Sequence, residues 1–231
     1  SLCADPLVGD ALLRKAADRV EGNLVILPTI PYALVLHHGN RRNPVYPGII
    51  GVTEDTLFRQ FRDIAGCLVR DGFRKLLIYN MHGGNSMYAP TLAHSLEREY
   101  PELCCFTCFV TAGMNTQGMF DEPSSGHGCA FETSLNLHLC PAFVWLETNP
   151  PVNAARSYGL EAPAQARIFS DWTWTTRGHG YVGDPRQASA EAGEKLAEEA
   201  LAVLVPTLEQ LAALDVSVYA PVERPNGPFG G

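Results

Sequence analysis

A chain of 231 residues with 46% apolar and 18% charged side chains can bury one sizeable core, and its composition is neither disordered nor fibrous. The net charge of -8 argues against a nucleic-acid partner, because phosphate binding needs a basic face. No apolar run approaches the roughly 20 residues that span a bilayer, so no membrane span is expected.

The first predicted element is a helix in "DPLVGDALLRKAADRV", where Leu7, Ala11, Leu12, Ala16 and Val20 recur at near-helical spacing. Asp5 reads as its N-cap and Pro6 as its first helical residue. "NLVILPTI" then reads as a buried strand closed by Pro28 and Pro31. Residues 31–52, rich in Pro, Gly and Asn, form a long loop that carries His37 and His38.

"TEDTLFRQFRDIAGCLVRDG" is the clearest helix. Thr53 caps it, Glu54 and Asp55 lie in its first turn, Leu57, Phe61, Ile64 and Leu68 form its stripe, and Gly72 ends it. "KLLIYNM" is a buried strand, residues 86–99 a helix despite Pro90, and "LCCFTCFVT" a further strand. A last helix covers roughly residues 187–214. Apolar strands alternating with helices predict an α/β fold, a mainly parallel sheet covered by helices on both faces.

Seven cysteines, an odd number mostly inside apolar runs, point to free thiols in a reducing cytoplasm, and no signal peptide is visible. Cys104, Cys105 and Cys108 suit a buried strand better than a zinc knot, since no second Cys pair completes a ligand set.

Ligands of parallel sheets bind beyond the carboxyl ends of the strands, and "NMHGGN" stands at such an end. Gly83 and Gly84 permit a tight turn and close approach to a ligand. His82 offers an imidazole for a metal or for proton transfer, although a histidine in such a turn is equally compatible with a structural role. A lipase-type oxyanion turn would need a G-x-S-x-G elbow, which the chain lacks; neither a Walker motif nor G-x-G-x-x-G follows the turn either.

The second cluster is "SSGHGCAFETS", in which His127 sits between glycines and Glu132 follows where a helical pattern begins. Glu132 at a helix start has an ordinary role, favouring the positive end of the dipole. With His82 and an acid elsewhere, the cluster also offers metal ligands and a spare general base.

"NMHGGN", "SGHGCAFETS" and "GYVGDPRQASAEAGEKLAEEAL", in that order, resemble the creatininase (creatinine amidohydrolase) family. "LPTIPYALV" and "YPGIIGVTEDTLFRQF" are similar to its intervening segments, with Ile49 where Thr is usual. The resemblance implies a three-layer α/β sandwich, a homohexamer and a hydrolase using one or two divalent ions per chain, Zn²⁺ first, with Mn²⁺ or Fe²⁺ as alternatives. It implies Asp5, His82 and Glu132 as metal ligands and His127 as the catalytic histidine. Asp5 as a ligand is compatible with Asp5 as a cap. Gly83, Gly84, Asn85, His37 and His179 are the candidate substrate-binding residues.

His38 would line the same pocket or remain solvated, and His94 and His138 fall in helical stretches where a structural role suffices. Trp172, Trp174, Arg177 and His179 form a glycine-punctuated loop that would close over a neighbouring subunit's site or pack against it.

The family's E-Q-H-G motif and first strand have no counterpart upstream of Asp5. The expectation is one domain over residues 1–231 from which that stretch was cut or left out. Creatininase itself has a Tyr and a metal-binding Glu where Gly83 and Gly84 stand, and a Trp where the chain reads "EPSSG". The glycine version resembles the wider family, so creatinine is not the expected substrate. The reading is a metal-dependent hydrolase of a small polar cyclic amide, formamide or related ring, keto-sugar rings included. The alternative is a binding or assembly protein with an incomplete metal site.

Overall fold

The parallel pair β1 (Lys75–Asn80) and β2 (Cys104–Phe109) runs in register from Lys75 opposite Cys104 to Asn80 opposite Phe109. A computed structural model describes residues 4–34, 50–121, 127–145, 152–154, 176 and 179–217. Around the pair, in chain order, stand α1 (Ala4–Ala17), α2 (Glu54–Arg70), α3 (Tyr88–Glu99), α4 (Ala130–Leu139) and α5 (Ala190–Ala213). α3 connects the two strands, as a parallel pair requires.

Alternation along β1 sorts the chain into layers. Leu76 and Ile78, with Cys105 of β2, pack against Ala65 of α2, Leu92 and Leu96 of α3, and Leu103. Leu77 and Tyr79, with Phe109, face the opposite way onto Val8 and Leu12 of α1, Leu135 of α4 and Leu196, Leu201 and Leu204 of α5. Helices therefore cover the described sheet on both faces, and the fold is α/β as the sequence predicts. Burial pushes the Cys105 thiol up to about 12, consistent with a packed apolar side chain.

Local chemistry accounts for the helix boundaries. Thr53 Oγ1 accepts from Thr56 N at 3.3 Å, and Glu54 and Asp55 occupy the first turn of α2. Gly72, at φ +94°, reverses the chain after it. Pro90 is tolerated in α3 because it lies in the first turn, where its missing N–H would have no intrahelical acceptor. Lys75 Nζ donates to Ala212 O at 2.7 Å and Leu214 O at 3.1 Å, joining the start of β1 to the carboxyl end of α5.

Two expectations are corrected. Residues 23–30 form no strand: Val25 is 65% exposed and Leu27 39% exposed, while Leu24 and Ile26 are only half buried. Pro28 and Pro31 remove ladder donors at its end, and no described strand lies alongside to pair with it. Asp5 lies inside the first turn of α1 instead of capping it from outside. Its carboxylate turns across to β1, not back to its own helix. The loop histidines His37 and His38, Ile49, and Trp172, Trp174 and Arg177 lie outside the described residues.

Candidate metal centre

His82 is placed by the end of β1. Asn80 is buried, and its Oδ1 accepts from His82 N at 3.1 Å, turning the chain as the strand stops. Its carbonyl meanwhile accepts from Val110 N, fixing the turn to the chain after β2. His82 O then accepts from Asn85 N at 3.0 Å, closing a 3-10 turn over Gly83–Asn85. The imidazole Nδ1 of His82 stands 3.0 Å from Asp5 Oδ2 of α1, 77 positions away in sequence. The structure thus brings these two predicted ligands into contact.

His127 and Glu132 are built at the start of α4. Gly128, at φ +65°, takes a turn that only glycine adopts without strain, and its N–H donates to Glu132 Oε2 at 2.6 Å. The ordinary helix-start role of Glu132 is therefore present. His127 Nδ1 lies 3.7 Å from the same carboxylate oxygen, an ion-pair separation beyond hydrogen-bond reach. Burial pushes the Glu132 carboxyl above the usual carboxylate range; His127 and the Gly128 amide oppose this, Asp5 adds to it and His82 opposes it. The charges of Asp5 and His82 thus act on Glu132 more weakly than burial and His127 do.

The donor types, imidazole and carboxylate, suit zinc or manganese. Two donors about 2.0 Å from one tetrahedral ion stand roughly 3.3 Å apart, close to the spacing between Asp5 and His82. That pair fits one ion. Among the described residues, no group of three or more His, Cys, Asp or Glu is arranged to hold one as it stands.

Of the remaining candidates, Asn85 carries a buried Oδ1 with no hydrogen-bond partner among the described residues. Gly83 is exposed, and Gly84 lies directly beneath the His82 ring. His179 is exposed and meets Tyr181 edge-on, with ring centroids 5.9 Å apart. A Cβ on Gly128 would meet Tyr181 Cβ at 3.1 Å, which sets Tyr181 beside the Gly128 turn.

Val182 N donates to His127 O at 2.8 Å, and Gly183 exchanges backbone bonds with Asn153. Neither Asn80 nor the Tyr181–Val182 brace was singled out from sequence. A polar Asn closing the apolar run of β1 is the signal that would have found the first.

Asp184 follows that brace and caps the 3-10 turn Pro185–Gln187. Its carboxylate takes the Arg186 Nε at 2.7 Å and Nη2 at 2.9 Å, and Arg186 N at 3.2 Å. The Arg186 fork holds the acid well below its usual value, from 3.8 to about 2, against a smaller opposing effect of burial. Asp184→Ala should cost about 2 kcal/mol at neutral pH, the scale of hydrogen bonds to a charged group. A folded-state value below the unfolded one means the contribution is fully present above about pH 5 and is lost as pH falls through 2. Urea titrations of both proteins should show the gap constant from pH 7 to 5 and shrunken by pH 3; a gap that widens in acid contradicts this.

Comparisons with known proteins bear on the family and the fold. The family model described as "Creatininase: Creatinine amidohydrolase" matches residues 1–208. A creatinine amidohydrolase of Pseudomonas putida is 26% identical over 213 residues, 84% of this chain and 76% of that protein. A crystal structure of a Bacteroides fragilis protein, provisionally assigned as a creatinine amidohydrolase, superposes with a TM-score of 0.77 at 24% identity, covering 90% of this chain and 80% of that one. A crystal structure of creatinine amidohydrolase (creatininase) gives 0.73 at 23% identity, covering 92% and 84%. At these identities the two structures establish the fold, and the family model establishes the lineage: this chain belongs to the creatininase (creatinine amidohydrolase) family.

Proposed function

We propose that the protein is a metal-dependent hydrolase that opens a C–N bond in a small polar cyclic amide, a formamide or a related ring. The observation that carries this reading is the contact of Asp5 and His82 at the carboxyl end of β1, with the His127–Glu132 pair at the start of α4 supporting it. Family membership supports an amidohydrolase, and solved creatininases include a Mn form and a Zn–Zn form. On this reading residues 1–231 form one domain.

Asp5 and His82 would hold the divalent ion, with Glu132 the further carboxylate. Once bound, such an ion lowers the pKa of a coordinated water and polarises the scissile carbonyl. His127, tied at its carbonyl by Val182, takes a proton from the attacking water and delivers it to the leaving nitrogen. The buried Asn85 Oδ1 accepts a substrate N–H, and the Gly83 and Gly84 amides face the developing oxyanion. His179 and His37 are the further candidates for substrate contact. A symmetric homohexamer belongs to the same reading; exposed Val25, Ile50, Met87 and Trp145 supply apolar surface for subunit contacts.

The rival, a creatininase-fold binding protein with an incomplete metal site, draws on the lack of a three-ligand cluster among the described residues. A screen of cyclic amides, formamides and keto-sugar rings with zinc- or manganese-loaded protein separates the two. Turnover of a cyclic amide or formamide, abolished by a chelator and restored by metal, is expected; turnover of keto-sugar rings alone would overturn the C–N assignment. Uniform inactivity with metal fully bound contradicts hydrolysis.

A further inference from the structure

Gly84 has no backbone reason to be glycine. Neither Gly83 nor Gly84 is among the glycines with positive φ, so both positions lie in conformations open to alanine. What distinguishes them is their surroundings. A Cβ at Gly83 meets nothing within 4 Å. A Cβ at Gly84 would stand 2.6 Å from His82 Nε2 and 2.9 Å from His82 Cδ2, both closer than real Cβ contacts come. The next nearest atom, Leu34 O at 3.6 Å, is an ordinary contact.

A ring at the end of a side chain usually swings aside. This one is tied at its other edge, since Nδ1 sits 3.0 Å from Asp5 Oδ2. Swinging away from position 84 would move Nδ1 off the carboxylate. The main chain on either side is also held, by Asn80 Oδ1 at His82 N and by the 3-10 bond from Asn85 N. The backbone therefore has little freedom to give way.

We infer that Gly84 is a positioning residue: the empty space above its Cα seats the His82 imidazole against Asp5. This goes beyond any part its amide plays toward substrate. For its metal readout alone, it rests on the proposed role of His82 as a ligand.

The test is a double-mutant cycle on the full chain, with thermal unfolding and zinc calorimetry as readouts. Gly83→Ala should leave both unchanged, or raise the melting temperature slightly by restricting the unfolded chain. Gly84→Ala should lower the melting temperature and weaken zinc binding about 10–100-fold, the range for losing a partner that orients a ligand. In a His82→Ala background, Gly84→Ala should cost nothing in melting temperature, because the clashing ring is gone. The inference is overturned if Gly84→Ala is as silent as Gly83→Ala, or if its thermal cost persists without His82. Should the parent protein bind no zinc, the metal role of His82 fails, and the thermal cycle alone still decides the inference.

Discussion

His127→Ala should lower turnover by about 10²–10⁴-fold, the usual contribution of a positioned general acid–base, while metal content and fold persist. The imidazole is 39% exposed, so its removal takes away a partly solvated side chain, not a core one. Its backbone is held independently of the ring, by Val182 N at its carbonyl and by the Gly128 turn that follows. Nδ1 lies 3.7 Å from Glu132, which leaves the ring near the carboxylate without a hydrogen bond to it. His82→Ala is the contrast, because it removes an atom in direct contact with Asp5 and should cost metal. Equal metal loss in both variants would make His127 a ligand and void the division of roles.

Gly193→Ala should destabilise the fold by about 3 kcal/mol or more, at or above the upper end of ordinary overpacking. A Cβ there would stand 2.0 Å from Ser134 O, 2.6 Å from Ser134 C and 2.9 Å from His138 Cβ. Two of those atoms are backbone of α4 and have no rotamer to change. Ser134 is fully buried, and its Oγ accepts from Ser189 N at 3.1 Å, which ties α4 to the amino end of α5. Forcing the helices apart would break that bond and displace the turn that presents His127 and Glu132. For a chain of this size the loss corresponds to a melting temperature lower by roughly 6–12 °C. Gly66→Ala is the control, since its closest neighbour is the Tyr100 hydroxyl at 2.7 Å, the far end of a side chain. A milder loss there is expected, and equal losses would refute the backbone argument.

How much of this was legible depended on whether the signal was local. α2 could be read from end to end because Thr53, the acidic first turn and Gly72 act within a few residues of themselves. β1 and β2 declared themselves as short apolar runs bounded by breakers, and their parallel pairing followed from the helix between them. Residues 23–30 carry a similar apolar run, yet half of it faces out, because composition records hydrophobicity and not the presence of a neighbouring strand. Asp5 illustrates the same limit. Its position before Pro6 reads as a cap, whereas its actual partner is His82, which only the tertiary fold brings near. The Val182–His127 bond joins segments about 50 positions apart and left no local trace. The sequence marks Gly84 as a turn glycine; the closeness of the His82 ring to its Cα is tertiary detail that no backbone rule anticipates.

The most direct test is the metal content of purified full chain after loading with zinc or manganese and exhaustive dialysis, measured by plasma mass spectrometry. At least one equivalent per chain is expected in the parent protein and in His127→Ala, with loss in Asp5→Ala and His82→Ala. Less than one equivalent in the parent protein under both metals would contradict it.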